Sequence, residues 1–252
     1  MNEIKLYKNY IFCFFSRNRE LDKHRFSSLN CAYNKGEKES IITRNRNFTS
    51  NYLNKKKIIL ANQVHSNVVS YVNSKFYKDK YSDAMISSRK DILLGVLTAD
   101  CAPIIVLGEK TFGIIHAGWK GLINGIIENT IRKFYSLGEK LNDLKVFVGP
   151  HLSMSSFEVK SDFVDNIKNK IKNYDNFIEN NRKKKNFNFS GLIESKLIDL
   201  KISDYEISKE NTFTNPEKFF SHRYCYINKI KNCGRQISLV GIKNNWIFIK
   251  KR

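Results

Sequence analysis

Three side chains with nitrogen or sulfur donors each follow a short apolar run. In the stretch 95–122, GVLTADCAPIIVLGEKTFGIIHAGWKGL, Cys101 comes after Ile92 to Thr98, and His116 comes after Phe112 to Ile115. Upstream, His65 follows Ile58 to Ala61 through Asn62, Gln63 and Val64. One thiolate and two imidazoles are a donor set for a catalytic zinc, which takes three protein ligands and keeps a fourth position open. Taken singly, a buried cysteine is core filler and a lone histidine a satisfied polar group. Three of them at three strand ends are better explained as a site. Two other chemistries fit the same groups. A metal-free cysteine hydrolase would use Cys101 as nucleophile and needs one histidine free to act as base. Copper-dependent phenol oxidation is short of ligands, because five histidines in all cannot furnish a histidine-rich multicopper cluster.

The runs that carry these groups are short, rich in β-branched residues and bounded by polar or Gly positions, which predicts strands covered on both faces. Side chains delivered from such rigid elements make a preorganised site. Ile11 to Ser16 reads as an outer strand ending at Arg17, and Phe26-Ser27-Ser28-Leu29-Asn30 enters a polar segment. Between Lys38 and Phe48, Glu39, Ile42, Asn45 and Arg46 fall at helical spacing, which gives Asn45 and Arg46 either a place facing a cleft near the helix end or, the commoner case, one on a solvated helix face. Val68 to Val72 is expected to pair hairpin-fashion with the Ile58 run around His65, and Asp83 to Ile86 to form a short strand. Past His116 the period changes. Leu122, Ile123, Ile126, Ile127, Ile131 and Phe134 share one helical face that stops at Gly138. That makes Gly118 to Gly121, with Lys120, a loop at a helix N-terminus, suited to a phosphate or a developing anion. Lys145 to Val148 is a strand closed by Gly149-Pro150, with His151 as a turn or rim residue. Phe163 to Ile178 has helical spacing, Asn180 to Asn188 reads as an Asn/Lys-rich surface loop, and Leu192 to Leu200 as an amphipathic helix. The last third carries Phe219-Phe220-Ser221-His222-Arg223 and Gly234-Arg235, which leads into a closing strand at Ile242.

A chain of 252 residues, 41% hydrophobic, builds a real core and is read as one domain over 1–252. No apolar run reaches the roughly 18 residues of a membrane span, and Tyr10 to Phe15 is too short and poorly flanked for a signal sequence. The expected location is the cytoplasm. Five irregularly spaced cysteines point to reduced thiols. The net charge of +20, from 44 Lys+Arg against 24 Asp+Glu, is spread as Lys beside Asn and Ile without a patch or a recognition motif. That spread argues against a specific nucleic-acid partner, while the positive field favours small anionic substrates.

The order of motifs completes the reading: Ser28-Leu29-Asn30, Asn45-Arg46, Gln63-Val64-His65, Asp83-Ala84, Thr98-Ala99-Asp100-Cys101-Ala102-Pro103, His116-Ala117-Gly118-Trp119-Lys120-Gly121, Gly149-Pro150, Phe157-Glu158-Val159, Phe220-Ser221-His222-Arg223 and Gly234-Arg235. Over nearly its whole length the chain resembles the laccase-domain family of purine nucleoside phosphorylases, formerly called multicopper polyphenol oxidases. The resemblance implies an α/β fold (α+β with mixed sheets) layered as an α/β/β/α sandwich. It implies zinc on His65, Cys101 and His116, with copper the lesser alternative. It also implies phosphorolysis of adenosine, inosine and methylthioadenosine, with adenosine deamination alongside. The expected partners are a purine nucleoside and phosphate, and the expected assembly is a monomer or small homo-oligomer. Zinc lowers the pKa of a bound water toward about 7, which suits deamination. Phosphorolysis needs cations for phosphate, and Arg46, Arg223, Arg235 and Lys120 are the candidates, since a guanidinium binds phosphate oxygens bidentately. Asn30 and Asn45 are expected to bind substrate, and Asp100 or Glu158 to transfer protons. One departure stands out: where the family usually has Ser-Tyr-Arg-Arg, this chain has Ser221-His222-Arg223-Tyr224, so one of two consecutive arginines is missing.

Overall fold

The apolar runs assemble into two large sheets and one small one. The structure is a computed structural model and describes residues 2–17, 28–33, 35–53, 56–74, 81–181 and 184–243; Phe26 and Ser27 of the polar segment lie outside these. In chain order, β1 (Lys5–Tyr7) and β2 (Tyr10–Phe14) precede α1 (Glu39–Tyr52), and β3 (Lys57–Leu60), β4 (Val69–Tyr71) and β5 (Ala84–Ser87) follow. The centre is β6 (Ile92–Thr98), β7 (Ala102–Leu107) and β8 (Phe112–Ala117), then α2 (Trp119–Ile123), α3 (Ile126–Ser136) and β9 (Lys145–Val148). The last part comprises β10 (Glu158–Val159), α4 (Ser161–Lys168), β11 (Ile178–Asn181), β12 (Lys184–Phe187), α5 (Phe189–Asp199), β13 (Asp204–Ile207), α6 (His222–Ile227) and β14 (Gln236–Ile242).

One sheet runs β1-β2-β14-β6-β3 and the other β13-β9-β7-β8-β5-β4, each mixing parallel and antiparallel pairs. Alternation along the strands fixes the layers. On β6, Ile92, Leu94 and Val96 face the other sheet, whereas Leu93 and Leu97 face a core shared with Phe48 and Tyr52 of α1. On β7, Ile105 and Leu107 meet β6's face, while Ile104 and Val106 pack on Leu122, Ile127 and Ile131 of α2 and α3 and Leu197 of α5. The order of layers is therefore α/β/β/α, as the resemblance implied. Both faces of each central strand are covered, which is why their sequences read as continuous apolar runs.

Several local expectations change. The runs flanking His65 do not pair with each other, since β3 lies in the five-stranded sheet and β4 in the six-stranded one. Ala102 to Leu107 is a fully buried strand of its own, and β1 covers the strand expected to be outermost. The helix after His116 is two helices, broken at Gly125, whose φ of +88° favours a residue without a Cβ. Leu122, Ile123, Ile126 and Ile127 nevertheless stay in one core, so the apolar face survives the break. The helical spacing after Phe163 ends early, with α4 stopping at Lys168 and Tyr174–Phe177 forming one tight 3-10 turn. The Asn/Lys-rich segment is the antiparallel pair β11–β12, extended by β10. Packing of the fully buried Phe187 against Phe157, Phe163 and Phe189 outweighs the loop-like composition.

Candidate metal centre and its cavity

The chain passes from the five-stranded sheet to the six-stranded one twice at the same end of the sandwich, and each of these crossings delivers a candidate ligand. Residues 61–68, between β3 and β4, carry His65; the turn 99–101, between β6 and β7, carries Cys101. His116 projects from within β8, at the register that pairs it with Pro103 of β7. The three donor atoms lie within 4.8 Å of one another; His65 Nε2 is 3.8 Å from Cys101 Sγ, and the two imidazoles meet edge-on at 4.8 Å. Zinc bonds to sulfur and nitrogen close a tetrahedral S···N edge of about 3.5 Å, so the residues fit such an ion with little adjustment.

A carboxylate holds the centre together. Asp83, fully buried ahead of β5, accepts a hydrogen bond from His116 Nδ1 at 2.7 Å, which leaves Nε2 as the imidazole's ligand atom. The same carboxylate accepts the backbone N–H groups of Val64, His65 and Ser66 and the Ser66 hydroxyl, at 3.2, 3.0, 2.6 and 2.7 Å. These bonds keep His65 in the left-handed region, at φ +59°. Gln63 fastens the other side of the loop, its amide exchanging hydrogen bonds with the backbone of Leu97 on β6 at 2.7 and 2.8 Å. Gly118 is seated so close that a Cβ there would lie 2.5 Å from His65 Cδ2 and 3.3 Å from Cys101 Sγ.

Electrostatics favours the ligand state of the thiol. Burial would push Cys101 up, but the neighbouring His116 charge and hydrogen bonds from both imidazoles outweigh it and hold the thiol down at about 6. Burial pulls His116 down, yet Cys101 and Asp83 together carry it up to about 9. Asp83 itself, raised by burial, is drawn down to about 2 by its donors, so it stays ionised.

The centre opens into a cavity of 480 Å³ lined by apolar Leu152, Trp119, Phe157 and Phe189 and by polar Asp100, Lys120, His222 and Arg223. Asp100, at φ +86°, is locked by two donors, Thr212 Oγ1 at 2.7 Å and the backbone N–H of Arg223 at 2.6 Å. Arg223 reaches the carbonyl of Glu158 at 2.8 Å, while the Glu158 carboxylate pairs with Lys184 at 2.9 Å and does not line the cavity. Lys120, placed by sequence in a loop, is the second residue of α2, with its ammonium 5.6 Å from the Trp119 ring centre.

Other candidates lie elsewhere. Arg46 donates to Cys31 O at 2.8 Å, stacks on Tyr33 at 4.2 Å and borders a different cavity. Asn45 donates to Asn30 O at 2.7 Å, and Asn30 spends its amide on Glu37, Ala32 and the backbone N–H of Arg235. Arg235 turns its guanidinium to the carbonyls of Cys233 and Gly234, both at 2.8 Å. His151 is buried rather than at a rim, with its two ring nitrogens on Gly149 O and Ser190 Oγ at 2.8 and 2.6 Å. Sequence reasoning passed over Asp83 as a site residue; its one signal was a carboxylate placed directly before an apolar strand, a position with no solvent to hydrate it.

Residues 11–243 match the family model described as multi-copper polyphenol oxidoreductase laccase. A purine nucleoside phosphorylase of Rickettsia prowazekii is 29% identical over 245 residues, covering 96% of this chain and 100% of its own. One from Rickettsia conorii is 30% identical over 216 residues, covering 84% and 88% respectively. Among solved structures, a Neisseria meningitidis protein shares the fold at a TM-score of 0.82, with 22% identity over 96% of this chain and 99% of that one. By its match to the family model over nearly its full length, the chain belongs to the multi-copper polyphenol oxidoreductase laccase family.

Proposed function

We propose that the protein is a zinc-dependent purine nucleoside phosphorylase, a single domain over residues 1–252 working in the cytoplasm. Its substrates are adenosine, inosine and methylthioadenosine, its products the base and the sugar 1-phosphate, and adenosine deamination is a side activity. The observation that carries this reading is the cavity itself, where a two-imidazole, one-thiolate centre shares walls with aromatic rings and cations. The names of the two Rickettsia relatives supply the reaction class. Among the described residues no helix is long and apolar enough to cross a membrane.

Zinc held by His65, Cys101 and His116 would supply Lewis acidity beside the cavity. The chain's own residues do the rest. Trp119 and Phe157 offer aromatic surface on which a purine ring can stack, with the buried Phe189 packed against Phe157. Arg223 and Lys120 place positive charge where phosphate would sit, and Asp100 fixes the backbone of Arg223 so that its guanidinium starts from a rigid base. Holding phosphate in line with the anomeric carbon is a positioning effect worth several kcal/mol of barrier. Zinc is favoured over a copper cluster because His151 has both ring nitrogens engaged, which leaves too few imidazoles for several metals.

The low thiol value at Cys101 favours one second reading, a metal-free hydrolase with a thiolate nucleophile beside His116. One experiment separates the two. Purified protein is assayed for zinc and incubated with a nucleoside panel with and without phosphate, the products being resolved as base, sugar phosphate or deaminated nucleoside. About one zinc per chain and phosphate-dependent base release are expected. Base release at an equal rate without phosphate, yielding free sugar, overturns the phosphorylase reading.

A further inference from the structure

We propose that His222 is the catalytic general acid that protonates the departing purine. The assignment rests on the phosphorylase reading above and goes beyond it, because it names the proton donor. Breaking the bond between the sugar's anomeric carbon and purine N9 leaves the electron pair on the base, which departs readily only if a proton reaches N7. The cavity wall narrows the choice. His65 and Cys101 belong to the metal centre. Both Asp100 oxygens are spent as acceptors, one for the Thr212 hydroxyl and one for the backbone N–H of Arg223, so the carboxylate is turned to the scaffold of α6. Glu158 points to Lys184, away from the cavity. Tyr226 is 79% exposed at the mouth. Lys120 and Arg223 serve phosphate as fixed charges, and a guanidinium does not release its proton. His222 remains, and imidazole is the side chain suited to giving and regaining a proton near neutral pH.

Its position is built rather than incidental. His222 opens α6, which is capped by Ser221 Oγ accepting the backbone N–H of Tyr224 at 3.1 Å. The next residue's N–H is bonded to Asp100 at 2.6 Å, so the start of α6 is docked on the turn that carries Cys101. The imidazole and the metal centre thereby face one cavity from two elements that cannot drift apart. Burial first, then the positive charges of Arg235, Lys35 and Arg223, hold His222 below its ordinary value, with Asp100 partly opposing them. A bound phosphate dianion would cancel much of that positive field and restore the proton as the second substrate arrives. The step balances: a phosphate oxygen bonds to the anomeric carbon as the bond to N9 breaks, and the imidazolium proton goes to N7. The new phosphate monoester then returns its own proton to the imidazole.

The test compares inosine with 7-methylinosine, whose base leaves without protonation, in wild type, His222→Ala and His222→Gln, with zinc content measured for each. Both variants should keep wild-type zinc and lose about 10²–10⁴-fold in kcat on inosine. Their loss on 7-methylinosine should be at least tenfold smaller. In wild type, kcat on inosine should fall as pH rises through the imidazole, and this limb should vanish in the variants. Equal losses on both substrates, or a limb retained in the variants, overturn the assignment while leaving phosphorolysis standing. Wild-type protein that cleaves neither substrate with phosphate overturns the phosphorylase reading and this assignment together.

Discussion

Replacing Asp83 tests whether one buried carboxylate organises the metal centre. Asp83→Ala removes the acceptor of five hydrogen bonds: the His116 imidazole at 2.7 Å, the Ser66 hydroxyl at 2.7 Å, and the N–H groups of Val64, His65 and Ser66. Bonds to a charged group contribute about 1.5–3 kcal/mol each. Their simple sum overstates the effect, because all five converge on one carboxylate and are not additive. Removing one partner of a buried ionic pair costs about 3–5 kcal/mol. The expected loss of stability for zinc-free Asp83→Ala is therefore about 4 kcal/mol. Zinc affinity should fall about 10–100-fold, because His116 loses the group that fixes its tautomer. Asp83→Asn keeps the volume and one acceptor oxygen but turns an amide NH₂ toward groups that also donate, so it should retain about half of the stability. Urea unfolding of zinc-free protein measures the first quantity, and competition with a chromophoric chelator the second. An Asp83→Ala protein with wild-type urea midpoint and wild-type zinc affinity would refute the reasoning.

Other substitutions separate ligand, scaffold and fold. Cys101→Ser should bring bound zinc close to zero by elemental analysis and abolish most activity, while the zinc-free protein still unfolds in urea as a cooperative domain, since the half-buried thiol belongs to none of the hydrophobic cores; a variant that keeps its zinc and its activity contradicts the ligand assignment. Gly118→Ala has an allowed backbone, at φ −81° and ψ 159°, but its Cβ would strike His65. Zinc affinity should drop at least about tenfold, with zinc-free stability falling by only about 1 kcal/mol on a thermal melt; an unchanged affinity rules out the contact as a constraint. Glu139→Gln probes pH. Burial would raise that carboxyl, but the N–H groups of Glu109, Lys110 and Thr111 and the Thr111 hydroxyl outweigh burial and hold it below its ordinary value. A depressed folded-state value stabilises above the unfolded carboxyl's pKa of about 4.3 and is lost as pH falls through the folded value. Wild type should thus exceed the variant by about 2 kcal/mol at pH 7 and lose that advantage in acid; a difference that stays constant down to the acid limit contradicts the assignment.

The three side chains of the candidate metal centre were legible from sequence because strand ends are. Ile92 to Thr98 and Phe112 to Ile115 are apolar on both faces, a pattern that only a doubly covered strand sustains, and the reactive group comes next. The helical stretch that follows was legible for the same reason, since its 3.6-residue period reports the face it buries even across the break at Gly125. The readings that changed share the opposite property. Whether β3 and β4 pair with each other or lie in separate sheets depends on which partner each edge meets, and short apolar strands carry no record of their neighbours. The Asn/Lys-rich strands β11 and β12 exist because Phe187 finds an aromatic pocket assembled from residues far away in the chain. Arg46, Asn30 and Asn45 have chemistry suited to a substrate, but their hydrogen bonds are spent on nearby backbone and side chains, which composition does not reveal. Asp83 is the clearest case. Its identity is plain in the sequence, yet its role follows from burial at the point where two crossings between sheets and one strand converge, because a carboxylate without water takes every donor within reach. The residue types thus determined which chemistry was available, and the convergence of the two sheets decided which of those residues share one cavity.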